Sequence, residues 1–333
     1  KTDSDLTVMT ALFDDPEGYG RIVKNNQGDL TAIIEEKDAD SEIKKIKEIN
    51  SGVNCIDSEL LKDFLNNMDN NNSQGEYYLT DIIEFAVEKN KKISTYLVED
   101  SNEIIGINTR KQQAEAEKII RNRIIERHLN NGVTIIDPAT TFIDEEVEIE
   151  QDVTIYPFNY LEGKTKISKN TVVNPNCKLE NAVIGENVEI LSNTIIRDSS
   201  VGSNTNIGPF AYLRPGSTVE NSCKIGDFVE LKKTTVKTGA KVPHLCYAGD
   251  AEIGERTNIG AGTIFANYDG EKKSRTTIGK DVFIGSDSIL IAPLKIGDGA
   301  KTAAGSVVTK DVKSGDTVMG VPARIYKSKS KDA

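Results

Sequence analysis

Branched aliphatic side chains recur at every sixth position over nearly half of this chain. One run reads Ile143, Ile149, Ile155, Leu161, Ile167, Val173 and Leu179, and after a slip it resumes at Ile184, Ile190 and Ile196. Further runs follow at Val201, Ile207, Leu213, Val219, Ile225 and Leu231, at Ile253, Ile259 and Phe265, and at Ile278, Ile284, Leu290 and Ile296. Glycine, asparagine or another small residue commonly follows each aliphatic, as in "IGENVEI" and "VGSNTNIGPF". A helical heptad cannot produce this period. Branched residues turned inward and turn formers at fixed phase predict a parallel β-helix over 133–326, each coil stacked on the next.

The preceding sequence obeys another rule. Residues 1–109 alternate strand-like runs ("LTVMTALF", "GDLTAIIEE", "SGVNCI", "KISTYLV") with helix-like ones ("SELLKDFLNNM", "LTDIIEFAVEKN"), the pattern of an α/β domain. Between them, 110–132 reads as a linker helix whose apolar face carries Ile119, Ile120, Ile124 and Ile125, with Gly132 closing it and His128 on its solvated side. Residues 327–333 read as a disordered basic tail.

Composition narrows the function classes. Lysine and arginine total 41 against 52 acidic residues, a net charge of −11, so a general nucleic-acid or anionic-membrane surface is not expected. Cys55, Cys177, Cys223 and Cys246 form no C-x-x-C pair, which suits a reducing cytoplasm and gives no zinc spacing. No apolar stretch is long enough to span a bilayer. The chain opens at Lys1 inside what reads as a strand-bearing domain, as expected of a fragment.

Departures from a repeat are where function is expected. Two stand out: "KKTTVKTGAKVPHLCYAGDAE", where the phase slips repeatedly, and "ANYDGEKKSRTT", which reads as a projecting loop turning at "YDG". The first holds His244, one of two histidines, and imidazole is the side chain best suited to accept a proton near neutrality. Arg214, Lys232, Lys233 and Lys273 form a local basic collection around both departures, the groups a phosphorylated substrate requires.

"GPFAYLRPGS", "GDFVELKK", "KVPHLCYAGDAEIGERTNIGAGT", "ANYDGEKK", "FIGSDSILIAP" and "TAAGSVVTKDV" resemble the acetyltransferase domain of the bacterial bifunctional N-acetylglucosamine-1-phosphate uridyltransferase/glucosamine-1-phosphate acetyltransferase family. "DDPEGYGRIV", "IIEEKDA", "EINSGV", "GEYYLTDII" and "IIGINTR" resemble the second part of its uridyltransferase domain. The resemblance implies a left-handed β-helix following a partial Rossmann-like nucleotidyltransferase domain, and a cytoplasmic homotrimer. It implies that His244 deprotonates the amine of glucosamine 1-phosphate for attack on acetyl-CoA, with Glu230 orienting it. Arg214 and Lys232 would bind the sugar phosphate, Tyr247, Asn258 and Asn267 the sugar, and Tyr268 and Lys273 would border the same site. Ala261, Ser286 and Ala304 match positions at the acetyl-CoA end, and Arg324 is assigned to the coenzyme as well. Gly20, Glu35, Asn50, Thr80 and Asn108 match positions for UDP-N-acetylglucosamine, Asn108 also for Mg2+. The family's glycine-rich nucleotide loop, which would receive UTP, has no counterpart here, so uridyl transfer is not expected of this chain as written.

Three rival readings remain. A sugar-nucleotide pyrophosphorylase or exchange-factor subunit would use its β-helix only for assembly and has no need of "KVPHLCY". A carbonic-anhydrase-like hexapeptide enzyme needs three histidine ligands, and only His128 and His244 exist. Another hexapeptide acyltransferase would share the base and coenzyme and differ at Arg214 and Lys232.

Overall fold

The computed structural model describes residues 3–70 and 74–327 and divides the chain into two units, Lys1–Ile119 and Ile120–Ala333. In the first, strands β1 (Leu6–Leu12), β2 (Arg21–Lys24), β3 (Leu30–Ile34), β4 (Glu48–Ile56) and β5 (Ile93–Leu97) form one mixed sheet in the order β3-β2-β4-β1-β5. The β1–β5 pair is parallel and the other pairings are antiparallel. The crossover to β5 carries helices α1 (Ser58–Asn67) and α2 (Ile82–Glu88). Asp57 caps α1 by accepting from the Glu59 and Leu60 amides. Leu60, Phe64, Ile82, Ile83 and Ala86 then pack on Leu6, Val8, Ile22, Leu30 and Ile33 of the sheet.

The second unit is a left-handed parallel β-helix of about 10 turns. All the hexad aliphatics named above are buried, and they line one continuous core. At roughly 1.5–3 kcal/mol for each buried aliphatic side chain, this ladder is the main stabilising term. Most coils take 17 or 18 residues, and the short strands pair in parallel with the strand one coil on, as Tyr160–Glu162 does with Lys178–Glu180. Nine short strands from Glu148–Ile149 to Leu294–Ile296 make one face. The other faces merge into one sheet through Lys224–Lys232 and Lys241–Gly249, strands that run continuously round a corner.

The chain turns its corners in the left-handed backbone region. Asn170, Asn176, Asn181, Asn187, Asn193 and Asn204 all have φ between 54° and 62° except Asn181 at 49°, which accounts for asparagine at fixed phase in the sequence.

Three expectations need correction. The stretch 231–253 slips in phase by one residue before Val236 and again before Ile253, but the repeat is not lost: Val236, Val242 and Ala248 take the inward positions between, each fully buried. Helix α3 (Arg110–Asn130) has no continuous apolar face, because Ile120 is 56% exposed and only Ile124 and Ile125 enter the solenoid core. His128 is not solvated but 4% exposed, with neither ring nitrogen partnered. At the other end, Arg324–Lys327 belong to a strand, Ala323–Lys327, antiparallel to Thr317–Gly320; the rest of the expected tail lies outside the described residues.

Burial holds the His128 pKa below its ordinary value, helped by Arg127 and opposed by Glu145. Below the ordinary histidine pKa of about 6.5, an unfolded chain takes up a proton that the folded one resists, so stability falls as pH drops. Thermal unfolding followed from pH 7 down to pH 5 should show this loss, and His128→Leu should reduce it; an unchanged pH dependence in the variant would contradict the assignment.

Candidate active site

The corner between the two merged faces carries the chemistry. Register pairs Asp227 with His244, while Lys241↔Asn258 and Tyr247↔Ile264 set the next coil so that Ala261 follows His244. By the same stacking Ser286 follows Ala261, and Ala304 follows Ser286. Asp227, His244, Ala261, Ser286 and Ala304 thus form one column, each just ahead of a corner residue with positive φ: Phe228, Leu245, Gly262, Asp287 and Gly305. Leucine seldom takes this backbone region. Leu245, at φ 47° and 61% exposed, is held there by the coils on either side, and backbone strain of this kind gathers at functional sites.

Glycine permits the close stacking at two points. A Cβ on Gly226 would lie 1.7 Å from the Pro243 carbonyl oxygen, beside the Asp227–His244 pair. One on Gly249 would lie 2.4 Å from the Tyr247 hydroxyl and 2.7 Å from Asn267 Nδ2, so those two polar ends converge over a bare backbone.

A basic cluster lies on the next face. Arg214 Nη1 donates to Glu230 Oε1 at 2.8 Å, and Glu230 stands in register between Tyr212 and Tyr247. Lys232 pairs with Gly249. The inserted loop belongs to a coil of 25 residues and returns Lys273 to a bridge with Tyr268, with Asp269 accepting from the Glu271 and Lys272 amides at its turn. The Lys273 pKa is lowered chiefly by the neighbouring Lys232 ammonium, while Asp250 and Tyr247 oppose the shift. Asp250 in turn accepts from the buried Asn267 amide at 2.6 Å. Two ammonium groups and a guanidinium held together, with Tyr247 and Asn267 beside them, can bind a phosphorylated, hydroxyl-rich molecule.

The expected set therefore sorts unevenly. Arg214, Lys232, Tyr247, Asn267, Tyr268 and Lys273 gather. Asn258 stacks on Lys241 and Phe283, six positions before Tyr247's partner Ile264. Glu230 does not orient His244: its carboxylate is engaged by Arg214, and Asp227 bonds His244 Nδ1 instead. Asp227 and Asp250 were overlooked in the sequence, although a 17-residue coil counted back from His244 reaches Asp227. Arg324 pairs with Met319 in the closing hairpin, past the top of the column.

In the first unit the Asn50 amide donates to the Gly20 carbonyl at 2.9 Å and the Thr80 hydroxyl to Glu35 at 3.4 Å, while a Cβ on Gly20 would come within 3.3 Å of Glu35 Oε1. These four residues converge. Asn108 precedes α3 in a segment tied to the Tyr19 hydroxyl through the Gly106 amide, at 3.0 Å. Magnesium binds through one or two carboxylates with several waters or phosphates. Asn108 offers one neutral amide oxygen, and among the described residues no three His, Cys, Asp or Glu side chains gather, so the residues present do not fit a resident Mg2+ site.

Hexapeptide coils with a carboxylate-held imidazole at a corner and a cationic pocket beside it define a transferase of the hexapeptide-repeat class. Residues 275–310 match the family "Bacterial transferase hexapeptide (six repeats)". The chain is 50% identical over 306 residues to the bifunctional protein GlmU of Acetivibrio thermocellus, covering 92% of this chain and 66% of that protein. It is 50% identical over 313 residues to the bifunctional protein GlmU of Clostridium novyi, covering 93% of this chain and 68% of that one. The chain belongs to the bifunctional GlmU family, and it spans about two thirds of these relatives' length.

Gly226→Ala would drive a methyl group into the Pro243 backbone. A loss of about 1–3 kcal/mol of unit stability, the ordinary range for overpacking, is expected in chemical denaturation; an unchanged midpoint would mean that the coils separate freely here.

Proposed function

We propose that the β-helix transfers acetyl from acetyl-CoA to the amine of glucosamine 1-phosphate, and that it works as a cytoplasmic homotrimer. The observation that carries the reading is the single corner at which His244 stands between the cationic pocket and the Ala261–Ser286–Ala304 column. Arg214, Lys232 and Lys273 take the 1-phosphate, and Tyr247 and Asn267 take the sugar hydroxyls. His244 Nε2 accepts the proton of the amine as its nitrogen attacks the thioester carbonyl carbon. Collapse of the tetrahedral adduct breaks the carbon–sulfur bond, and the imidazolium returns the proton to the departing thiolate. The coenzyme lies along Ala261, Ser286 and Ala304, with Arg324 at its far end. In the first unit Gly20, Glu35, Asn50, Thr80 and Asn108 hold UDP-N-acetylglucosamine, the sugar nucleotide that a chain of the relatives' full length makes with UTP. The family membership supports these assignments, and a β-helix used only for assembly leaves the Asp227–His244 pair unexplained.

Free thiol released from acetyl-CoA in the presence of glucosamine 1-phosphate tests the reading. His244→Ala should lower kcat by about 10²–10⁴, the usual contribution of a general base. Arg214→Ala should raise KM for the sugar phosphate roughly 10–100-fold, the loss of a charge-assisted hydrogen bond of about 1.5–3 kcal/mol. Equal activity toward unphosphorylated glucosamine would remove the phosphate role, and thiol release independent of His244 would overturn the mechanism.

A further inference from the structure

The structure assigns Asp227 as the positioning residue for His244, fixing the imidazole as its Nδ1–H tautomer with Nε2 free to act as base. The inference rests on the acetyl-transfer reading and extends it by one residue. Asp227 and His244 face each other across adjacent coils in register, with Asp227 Oδ1 against His244 Nδ1. A carboxylate can only accept hydrogen bonds, so Nδ1 must carry the hydrogen, and the lone pair then belongs to Nε2. Asp227 is held ionised by the same contact: its pKa is lowered first by the hydrogen bond to His244, with Lys224 adding to the effect.

The surroundings leave this pair without a competitor. The coil below contributes Asp227 and Lys224. Glu230 lies on that strand too, but it is bound to Arg214. His244's own strand contributes Lys241 and Tyr247, each three positions away, and buried Cys246. The coil above, 258–266, contains no titratable side chain. Gly226 and the left-handed turns at Phe228 and Leu245 let the two backbones approach closely enough for the contact. A carboxylate that holds the ring also stabilises the imidazolium formed when the amine's proton arrives, the general logic of an acid–histidine pair.

The pair is half exposed, at 36% for Asp227 and 52% for His244, so its effect belongs to orientation of the ring rather than fold stability. Asp227→Asn keeps the shape, but its amide cannot serve as the ionised acceptor. It should lower kcat at least about tenfold within the range of general-base catalysis, with little change in KM for the sugar phosphate. Asp227→Glu should recover part of the rate.

The chain has two histidines, so ¹⁵N NMR of the labelled full chain reads the tautomer directly once His128→Leu has assigned the other ring. The Nδ1–H form in the parent and its loss in Asp227→Asn would support the inference. An Nε2–H form in the parent, or an Asp227→Asn variant with unaltered kcat, would overturn it. Failure of the acetyl-transfer reading shows separately, as thiol release indifferent to His244→Ala, while the NMR result still answers for the pair.

Discussion

Backbone hydrogen bonding from one coil to the next is the constraint on which the rest of the second unit depends. The Thr154 amide donates to the Thr171 carbonyl, Val172 to Val188 and Phe283 to Ala300, and the same pattern repeats along the faces. A strand of two or three residues has no stability alone, and here each is held between copies of itself above and below. Buried aliphatics supply the driving force, but the backbone ladder decides which residues meet. Buried threonines join it: Thr171 and Thr234 donate inward to the Gly185 and Ala248 carbonyls, so the corners leave few unsatisfied groups.

The functional corner uses this regularity and departs from it in two places. Strands Lys224–Lys232 and Lys241–Gly249 run nine residues without a break, so His244 sits mid-strand on a rigid edge rather than on a loop. The 25-residue coil then adds the loop that returns Lys273 beside Lys232. Like charges so placed repel, and Glu230 and Asp250 offset part of the repulsion in the free protein. A dianionic phosphate would replace that internal compensation with a stronger one. The raised pKa of Arg214, due chiefly to Glu230, reflects the same arrangement.

Much of this was legible in the sequence because the hexad period is a direct image of inward packing, and every aliphatic named from it is buried. The first unit's strands were legible except β2, whose four residues are too short to show alternation. The repeat at 236–248 was hidden because Ala248 does not read as a hexad marker, and a five-residue step before Val236 and another before Ile253 shift the phase by one each time. The same one-residue shift concealed Asp227, visible only once the coil length is known. His128 misled because a charged neighbourhood in sequence, "IIERHLNN", suggests solvent, whereas the packing of Ile124 and Ile125 carries the next turn inward with them. Glu230 misled for a different reason: only the family resemblance assigned it to His244, and it stands three residues past Asp227 on the same strand, where register sets it against Tyr247 instead.

The bent strands give the site a dependence that substitution studies alone would miss. Because the Ala261 position is set by counting 17 residues from His244, the column is written in segment length as well as in residue identity. The coil from Ala261 to Ser286 takes 25 residues and the next, to Ala304, takes 18, yet the column is unbroken, because the extra residues leave at a corner as a loop. One residue inserted within Lys241–Gly249 has no such exit: that strand runs round its corner, so His244 would lose either Asp227 below or Ala261 above. Spacing within this solenoid therefore behaves like a reading frame with marked places for extra letters: tolerant at the corners, intolerant along the bent strands.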